Sequence, residues 1–359
     1  MRVLVTGNRG YIGTLMVPML LNRNHEVVGL DSDLYARSTF GDEPQVIDTI
    51  NCDIRDATVD MFRGFDAVIH LAGLSNDPLG DFNPSLTEDI NHKATVRLGE
   101  LAKQAGVPRF IFSSSCSTYG AAGDDFLDET SDFNPVTPYG KSKVDSEFNL
   151  TALADDDFSP VYMRSATAYG VSPRLRFDLV MNNLTAWAFT TGQVLLKSDG
   201  TPWRPIVHIG DISRAFIAAL EAPREAVHTE AFNVGRTDEN FRIQELAEIV
   251  VQVVPGSRLE YAEGAGPDKR CYRVDCSKIK RVLPDFEPVW TARKGIEELY
   301  EAYKQVGLTL EDFEGQRYHR LAHLKYLIEE QILVEDLRHL SGDAASDRSG
   351  PAESLATAE

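Results

Sequence analysis

Tyr139 and Lys143 stand four residues apart in Tyr139-Gly140-Lys141-Ser142-Lys143, just after Pro135 and Pro138, a spacing that puts both side chains on one face of a helix. A phenol ordinarily loses its proton at a pKa of about 10, and a neighbouring ammonium favours the phenolate. Such a phenol can take the proton of an alcohol while the alcohol carbon is oxidised. The pair alone is common on helix surfaces, so its meaning depends on what lies beside it. A run of hydroxyls, Ser113-Ser114-Ser115-Cys116-Ser117-Thr118, ends the apolar strand that begins at Arg109. Ser115 is the candidate to share a proton with Tyr139. Cys116 reads as a small buried hydrophobe.

Oxidation needs an electron acceptor, and the first 31 residues provide a place for one. Arg2-Val3-Leu4-Val5-Thr6 reads as a buried strand, Gly7-Asn8-Arg9-Gly10-Tyr11-Ile12-Gly13 as a glycine-punctuated turn, and Ile12, Leu15, Met16, Met19 and Leu20 as the apolar face of a helix. Gly7 permits the turn, Gly10 lets backbone approach a pyrophosphate, and Gly13 lets the helix pack on the strand, with its N-terminus aimed at the phosphates. The next strand, Glu26-Val27-Val28-Gly29-Leu30-Asp31, ends in a carboxylate suited to an adenosine ribose and hostile to a 2′-phosphate. NAD is therefore expected rather than NADP, held by Gly7, Gly10, Tyr11, Ile12, Gly13 and Asp31 at one end and by Ser113 and Lys143 at the other.

Strand and helix continue to alternate. Asp66–Leu71 and Arg109–Ser113 are short apolar strands without polar alternation, as strands covered on both faces are. Helices are expected over about 83–106 and 138–155. This is the rhythm of an α/β, Rossmann-type doubly wound parallel sheet, whose ligands sit at the carboxyl ends of the strands. Residues 1–170 form the dinucleotide-binding domain, with later returns near 205–235, and 171–290 mainly a smaller mixed α/β substrate lobe. Helices about Ala292–Val306 and Gly315–Leu333 follow, and 341–359, with almost no large apolar residue, reads as a disordered tail.

The chain has 359 residues and a formal net charge of -19, which argues against sequence-independent binding to nucleic acid or to an anionic membrane. Neither a signal peptide nor a membrane-spanning run is read, so a cytoplasmic protein is expected. Four scattered cysteines suit neither a disulfide framework nor a metal site.

These motifs together resemble the extended short-chain dehydrogenase/reductases that act on nucleotide-linked sugars, the NAD-dependent epimerase/dehydratase family, over Met1 to about Val306. The resemblance implies further roles. Asp53-Ile54 resembles the pair flanking the adenine, Leu71-Ala72-Gly73 the segment along the cofactor, and Asn91 a helix asparagine near the active site. Asn182-Asn183 resembles the element gripping a sugar-nucleotide diphosphate, and Arg204 inherits a diphosphate contact. Thr167 stands where many relatives have Asn, and Arg270, or Lys269, stands in for a displaced arginine. The helices holding Asn91 and Tyr139 resemble a homodimer bundle.

Sugar dehydratases of this family carry an Asp-Glu pair after the hydroxyl that matches Ser115, and the uronate decarboxylases keep that Glu. Cys116 and Ser117 occupy those places here. The pattern is thus most similar to 4-epimerases such as UDP-galactose 4-epimerase, working on a nucleoside-diphosphate sugar through a transient 4-keto intermediate. A keto-sugar reductase is the alternative, followed by a dehydratase or a dinucleotide-binding sensor without turnover. The helices after Val306, with Arg317, His319, Arg320, His323 and Lys325, match no family role and are expected to be solvated surface.

Overall fold

Seven short segments pair as one all-parallel sheet: β1 (Arg2–Thr6), β2 (Glu26–Asp31), β3 (Thr49–Asn51), β4 (Ala67–His70), β5 (Arg109–Ser115), β6 (Ser159–Ser165) and β7 (Ala231–Val234). The spatial order is β7-β6-β5-β4-β1-β2-β3. The structure is a computed structural model that describes residues 1–121, 124–266 and 271–340. Arg270 and the expected tail, 341–359, lie outside the described residues.

The apolar runs lack alternation because both faces are covered. Val3, Val5, Ile69, Ile111 and Val161 pack into one core, and Leu4, Val68, Phe110, Phe112 and Tyr162 into another on the opposite face. Burial of such side chains stabilises the fold by about 1.5–3 kcal/mol each. The chain runs from β1 outward to β3 and then returns to lay β4 on the other side of β1. A crevice therefore opens beyond the carboxyl ends of β1 and β4, where Gly7 and Leu71 lie.

The helix expected over 83–106 is broken in register. Asn83 caps Pro84–Thr87 by accepting from the Leu86 amide at 3.1 Å, a turn of π-helix covers Glu88–Lys93, and α-helix resumes over Ala94–Gln104. The Asn91 carbonyl accepts from the hydroxyls of Thr95 (2.7 Å) and Ser146 (3.1 Å). A smaller lobe packs Val180–Thr191 and Ile243–Val253 around Met181, Leu184, Ile206 and Leu246, beside the paired strands Gln193–Ser198 and Arg258–Gly266.

The segment expected as one helix over Gly315–Leu333 is a 3-10 turn Gln316–Tyr318 and a helix Arg320–Glu329, and a short helix Leu310–Glu314 precedes it. Its expected solvation is overturned at two basic residues: Arg320 and His323 are each 2% exposed, and burial lowers the His323 pKa to about 4. Among the described residues no helix is long and apolar enough to cross a membrane.

Candidate active site

A cavity of about 850 Å³ runs along the carboxyl ends of the strands. One end is built by the turn after β1. Gly7 has φ +77°, and a Cβ there would meet the Ala72 amide nitrogen at 2.7 Å; a Cβ on Gly13 would meet the Gly7 carbonyl at 2.3 Å. Backbone packing therefore demands both glycines, while Gly10 lines the open cavity. Asp31 reaches across this turn, its Oδ2 accepting from the Arg9 amide (2.9 Å) and its Oδ1 from the Asp33 amide (2.7 Å). Burial raises its pKa and the two amides pull it back. Tyr11, Ile12, Leu71, Ala72 and Gly73 complete this wall.

The other end is built by β5 and the helix Pro138–Ala152. Thr137 caps the helix by accepting from the Gly140 amide at 3.1 Å while its own hydroxyl donates to Asp77 at 2.7 Å. A Cβ on Gly140 would lie 2.9 Å from the Ser117 carbonyl, and one on Gly80 3.1 Å from Tyr139 Cβ, so two glycines let the Tyr139 turn press against its neighbours. The Tyr139 phenol and the Ser115 hydroxyl thereby line the cavity together with Ser113 and Lys143, and Ser115 donates to the Ser117 hydroxyl at 3.1 Å.

The electrostatics differ from the sequence expectation. Burial pushes the Tyr139 phenol up to about 12, and the group that first pulls it back is Ser115, not Lys143. Lys143 is 6% exposed and donates to the Ser113 carbonyl at 2.7 Å. Burial lowers its own pKa to about 8, with Glu147 opposing. Glu147 is in turn bound by the Ser114 hydroxyl and by Arg164, at 2.6 Å from Nη2.

Several residues carried over from the resemblance stand one layer behind the cavity. Asn91 is 1% exposed and spends its amide on the Leu74 backbone, accepting from its N–H at 2.7 Å and donating to its carbonyl at 2.9 Å. It shapes the Gly73 loop rather than lining the cavity. Asp53 caps a 3-10 turn and pairs with Arg55 at 2.6 Å, and Ile54 packs in the core. Asn182, fully buried, accepts from the Gly170 amide and donates to the Tyr11 phenol. Asn183, Arg204 and Thr167 do line the cavity.

The sequence reading passed over four lining residues. Arg176 and Asp178 form an ion pair of 2.9 Å, and Arg176 also donates to the Ser75 hydroxyl at 2.7 Å. Burial alone would raise the Asp178 carboxyl, but the Arg176 guanidinium prevails and holds it below its usual range. The closeness of arginine and aspartate in Arg176-Phe177-Asp178 was the available signal. Tyr272, whose phenol burial raises to about 12, and Asp77 sit near Tyr139 with no motif to announce them.

A glycine turn whose backbone faces open space, a carboxylate at the end of β2, and a phenol and ammonium at the far end of the same cavity fit NAD. Among the described residues no cluster of side chains suits a metal ion.

The profile of the NAD dependent epimerase/dehydratase family matches residues 3–235. The UDP-glucose 4-epimerase of Bacillus subtilis (strain 168) is 27% identical over 334 residues, spanning 83% of this chain and 94% of that one. UDP-glucuronic acid decarboxylase 1 of Arabidopsis thaliana is 27% identical over 327 residues, spanning 88% and 72%. Among solved structures, MoeE5 in complex with UDP-glucuronic acid and NAD superposes with a TM-score of 0.74 at 27% identity, covering 85% of this chain and 99% of MoeE5.

Proposed function

The chain belongs to the NAD dependent epimerase/dehydratase family and is an NAD-dependent enzyme, and from that premise we propose that it inverts C4 of a nucleoside-diphosphate sugar. The observation that carries the reading is that Tyr139, Ser115 and Lys143 line one end of the same cavity whose other end holds the glycine turn and Asp31. When bound, NAD supplies a reversible two-electron oxidant for a secondary alcohol.

Tyr139 takes the proton of the sugar hydroxyl and later returns it, with Ser115 sharing that proton. With a pKa near 12, the phenol acts as a base at neutral pH only once its burial is offset by positive charge, from Lys143 and from an oxidised nicotinamide ring alongside. Gly7, Gly10, Tyr11, Ile12, Gly13 and Asp31 hold the adenosine and diphosphate end, with Leu71, Ala72, Gly73 and Ser113 along the groove. Asn183, Arg204 and Thr167 face the sugar nucleotide.

Epimerisation is favoured over loss of water because no acid follows Ser115. Cys116 is fully buried and turned toward the Arg164 carbonyl at 3.1 Å, with burial raising its thiol pKa further. Two carboxylates near the reacting end are otherwise engaged, Asp77 by Thr137 and Asp178 by Arg176. The same reading pairs two copies through the helical segments holding Asn91 and Tyr139, Glu88–Lys93 with its continuation Ala94–Gln104 and Pro138–Ala152, where Phe148 is 62% exposed; light scattering of wild type and Phe148→Asp checks it, a wild-type monomer refuting it.

The deciding experiment incubates the protein with UDP-, GDP-, CDP- and dTDP-sugars and reads products by NMR. A C4-inverted sugar formed over many turnovers without added reductant is expected. A dehydrated product, or turnover that consumes NADPH one for one, refutes the proposal.

A further inference from the structure

The family resemblance ends near Val306, and MoeE5 is matched almost whole by 85% of this chain. The residues beyond return to the dinucleotide groove. They clasp the loop that follows β2: Arg317 donates to the carbonyls of Arg37 (3.1 Å) and Thr39 (2.9 Å), Ser38 donates to the Arg317 carbonyl (2.7 Å), and His339 donates to the Ser32 carbonyl (2.8 Å). This clasp delivers Arg320 to the wall of the cavity, 4.0 Å from the centre of the Tyr35 ring and beside Leu34, Asp178 and His319.

Arg320 is charged, 2% exposed and incompletely satisfied. Its Nη2 donates to the Arg174 carbonyl at 2.7 Å, while its buried Nη1 has no partner. The carboxylate that acts on it, Asp178, is paired with Arg176 at 2.9 Å. Arg174 and Arg176 add positive charge from the neighbouring loop. A buried cation with one nitrogen unpartnered and its nearest carboxylate paired to another arginine is costly, and Arg320 lines the cavity, where a guanidinium suits phosphate oxygens.

We propose that Arg320 is a diphosphate-binding residue, supplied by the C-terminal segment, that holds the diphosphate of NAD on the side of the groove formed by Tyr35 and Arg176. This rests on the NAD reading of the cavity. The cofactor is favoured over the sugar nucleotide as the source of the diphosphate because Arg320 stands over the Tyr35 ring, which with Leu34 follows directly from Asp31; Asn183 borders Arg320 from a second cavity, and the UDP arm of the test separates the two sources.

The test compares the cofactor-stripped full chain with Arg320→Met and Arg320→Lys, using calorimetric titration with NAD, ADP-ribose, adenosine and UDP, and melting temperature without ligand. Arg320→Met is expected to weaken NAD and ADP-ribose at least tenfold while adenosine and UDP stay within twofold, with Arg320→Lys between. Because the methionine removes an unpaired buried charge, its ligand-free melting temperature is expected within a few degrees of wild type. Unchanged ADP-ribose affinity in both variants overturns the inference, as does weakening confined to UDP. Should Arg320→Met fail to fold, its role is structural unless Arg320→Lys, folded, still loses ADP-ribose affinity and not adenosine affinity. Failure of wild type to bind NAD would instead overturn the cofactor reading and this inference with it.

Discussion

The ammonium of Lys143 donates to the main-chain carbonyl of Ser113, 2.7 Å away, and lies 5.6 Å from the centre of the Tyr139 ring. The strand that ends in the candidate hydroxyls thus also fixes the cation. Burial disfavours its charged form, so in the cofactor-free protein the ammonium is present below about pH 8 and lost above it. NMR titration of the Lys143 side chain is expected to show that midpoint; a lysine still charged at pH 10 contradicts it.

Tyr139→Phe keeps the ring and its packing and removes the proton carrier. Turnover of an accepted sugar nucleotide is expected to fall about 10²–10⁴-fold while NAD affinity stays within a few fold. Steady-state rates and a binding titration measure the two; a variant as fast as wild type would falsify the assignment.

Asp31→Ala removes the carboxylate held over the glycine turn. The preference for NAD over NADP is expected to drop by at least about tenfold, since a 2′-phosphate no longer meets a negative charge. Parallel titrations with both cofactors decide it, and an unchanged ratio counts against the role.

Glu147 and Arg164 form a buried ion pair, their side chains 5% and 6% exposed, directly beneath Ser114 and Lys143. Glu147→Gln leaves the Arg164 cation without compensation and is expected to destabilise the fold by about 3–5 kcal/mol. Urea unfolding measures this, and a loss under about 1 kcal/mol contradicts it.

His70, 1% exposed, sits between Thr6 and Thr95. Thr95 already donates to the Asn91 carbonyl, so His70 donates to it from Nε2 and accepts from Thr6 at Nδ1. Burial lowers its pKa from 6.5 to about 3. Below pH 6.5 the unfolded chain gains a proton that the folded one refuses, so stability present above 6.5 falls by about 1.4 kcal/mol per pH unit until near pH 3. Unfolding curves of wild type and His70→Gln should diverge in that window; identical slopes refute it.

What the sequence disclosed and what it hid follow from where the information resides. The sheet was legible because Val3, Leu4 and Val5, or Phe110, Ile111 and Phe112, are buried regardless of which face they point to. Tyr139, Lys143 and Ser115 were legible because spacing along a helix and position at a strand end are local. Asn91, Asp53 and Asn182 were drawn to the right neighbourhood, but their polar atoms are spent on backbone or on a partner made only by tertiary packing. The last helix shows the opposite failure: Arg320, His323, Leu324 and Leu327 are its buried positions, a regular helical stripe. Two polar basic residues in that stripe disguised it as solvent-facing, because their burial depends on a cavity assembled from distant loops.

The clasp on the loop after β2 joins residues nearly the full length of the chain apart; Ser38 waits for Arg317, 279 positions later. During synthesis, the groove therefore stays unfinished after every strand of the main sheet has left the ribosome. Cofactor loading then falls at the close of translation, and nascent chains arrested before Arg317 should retain less NAD than those released through Leu340.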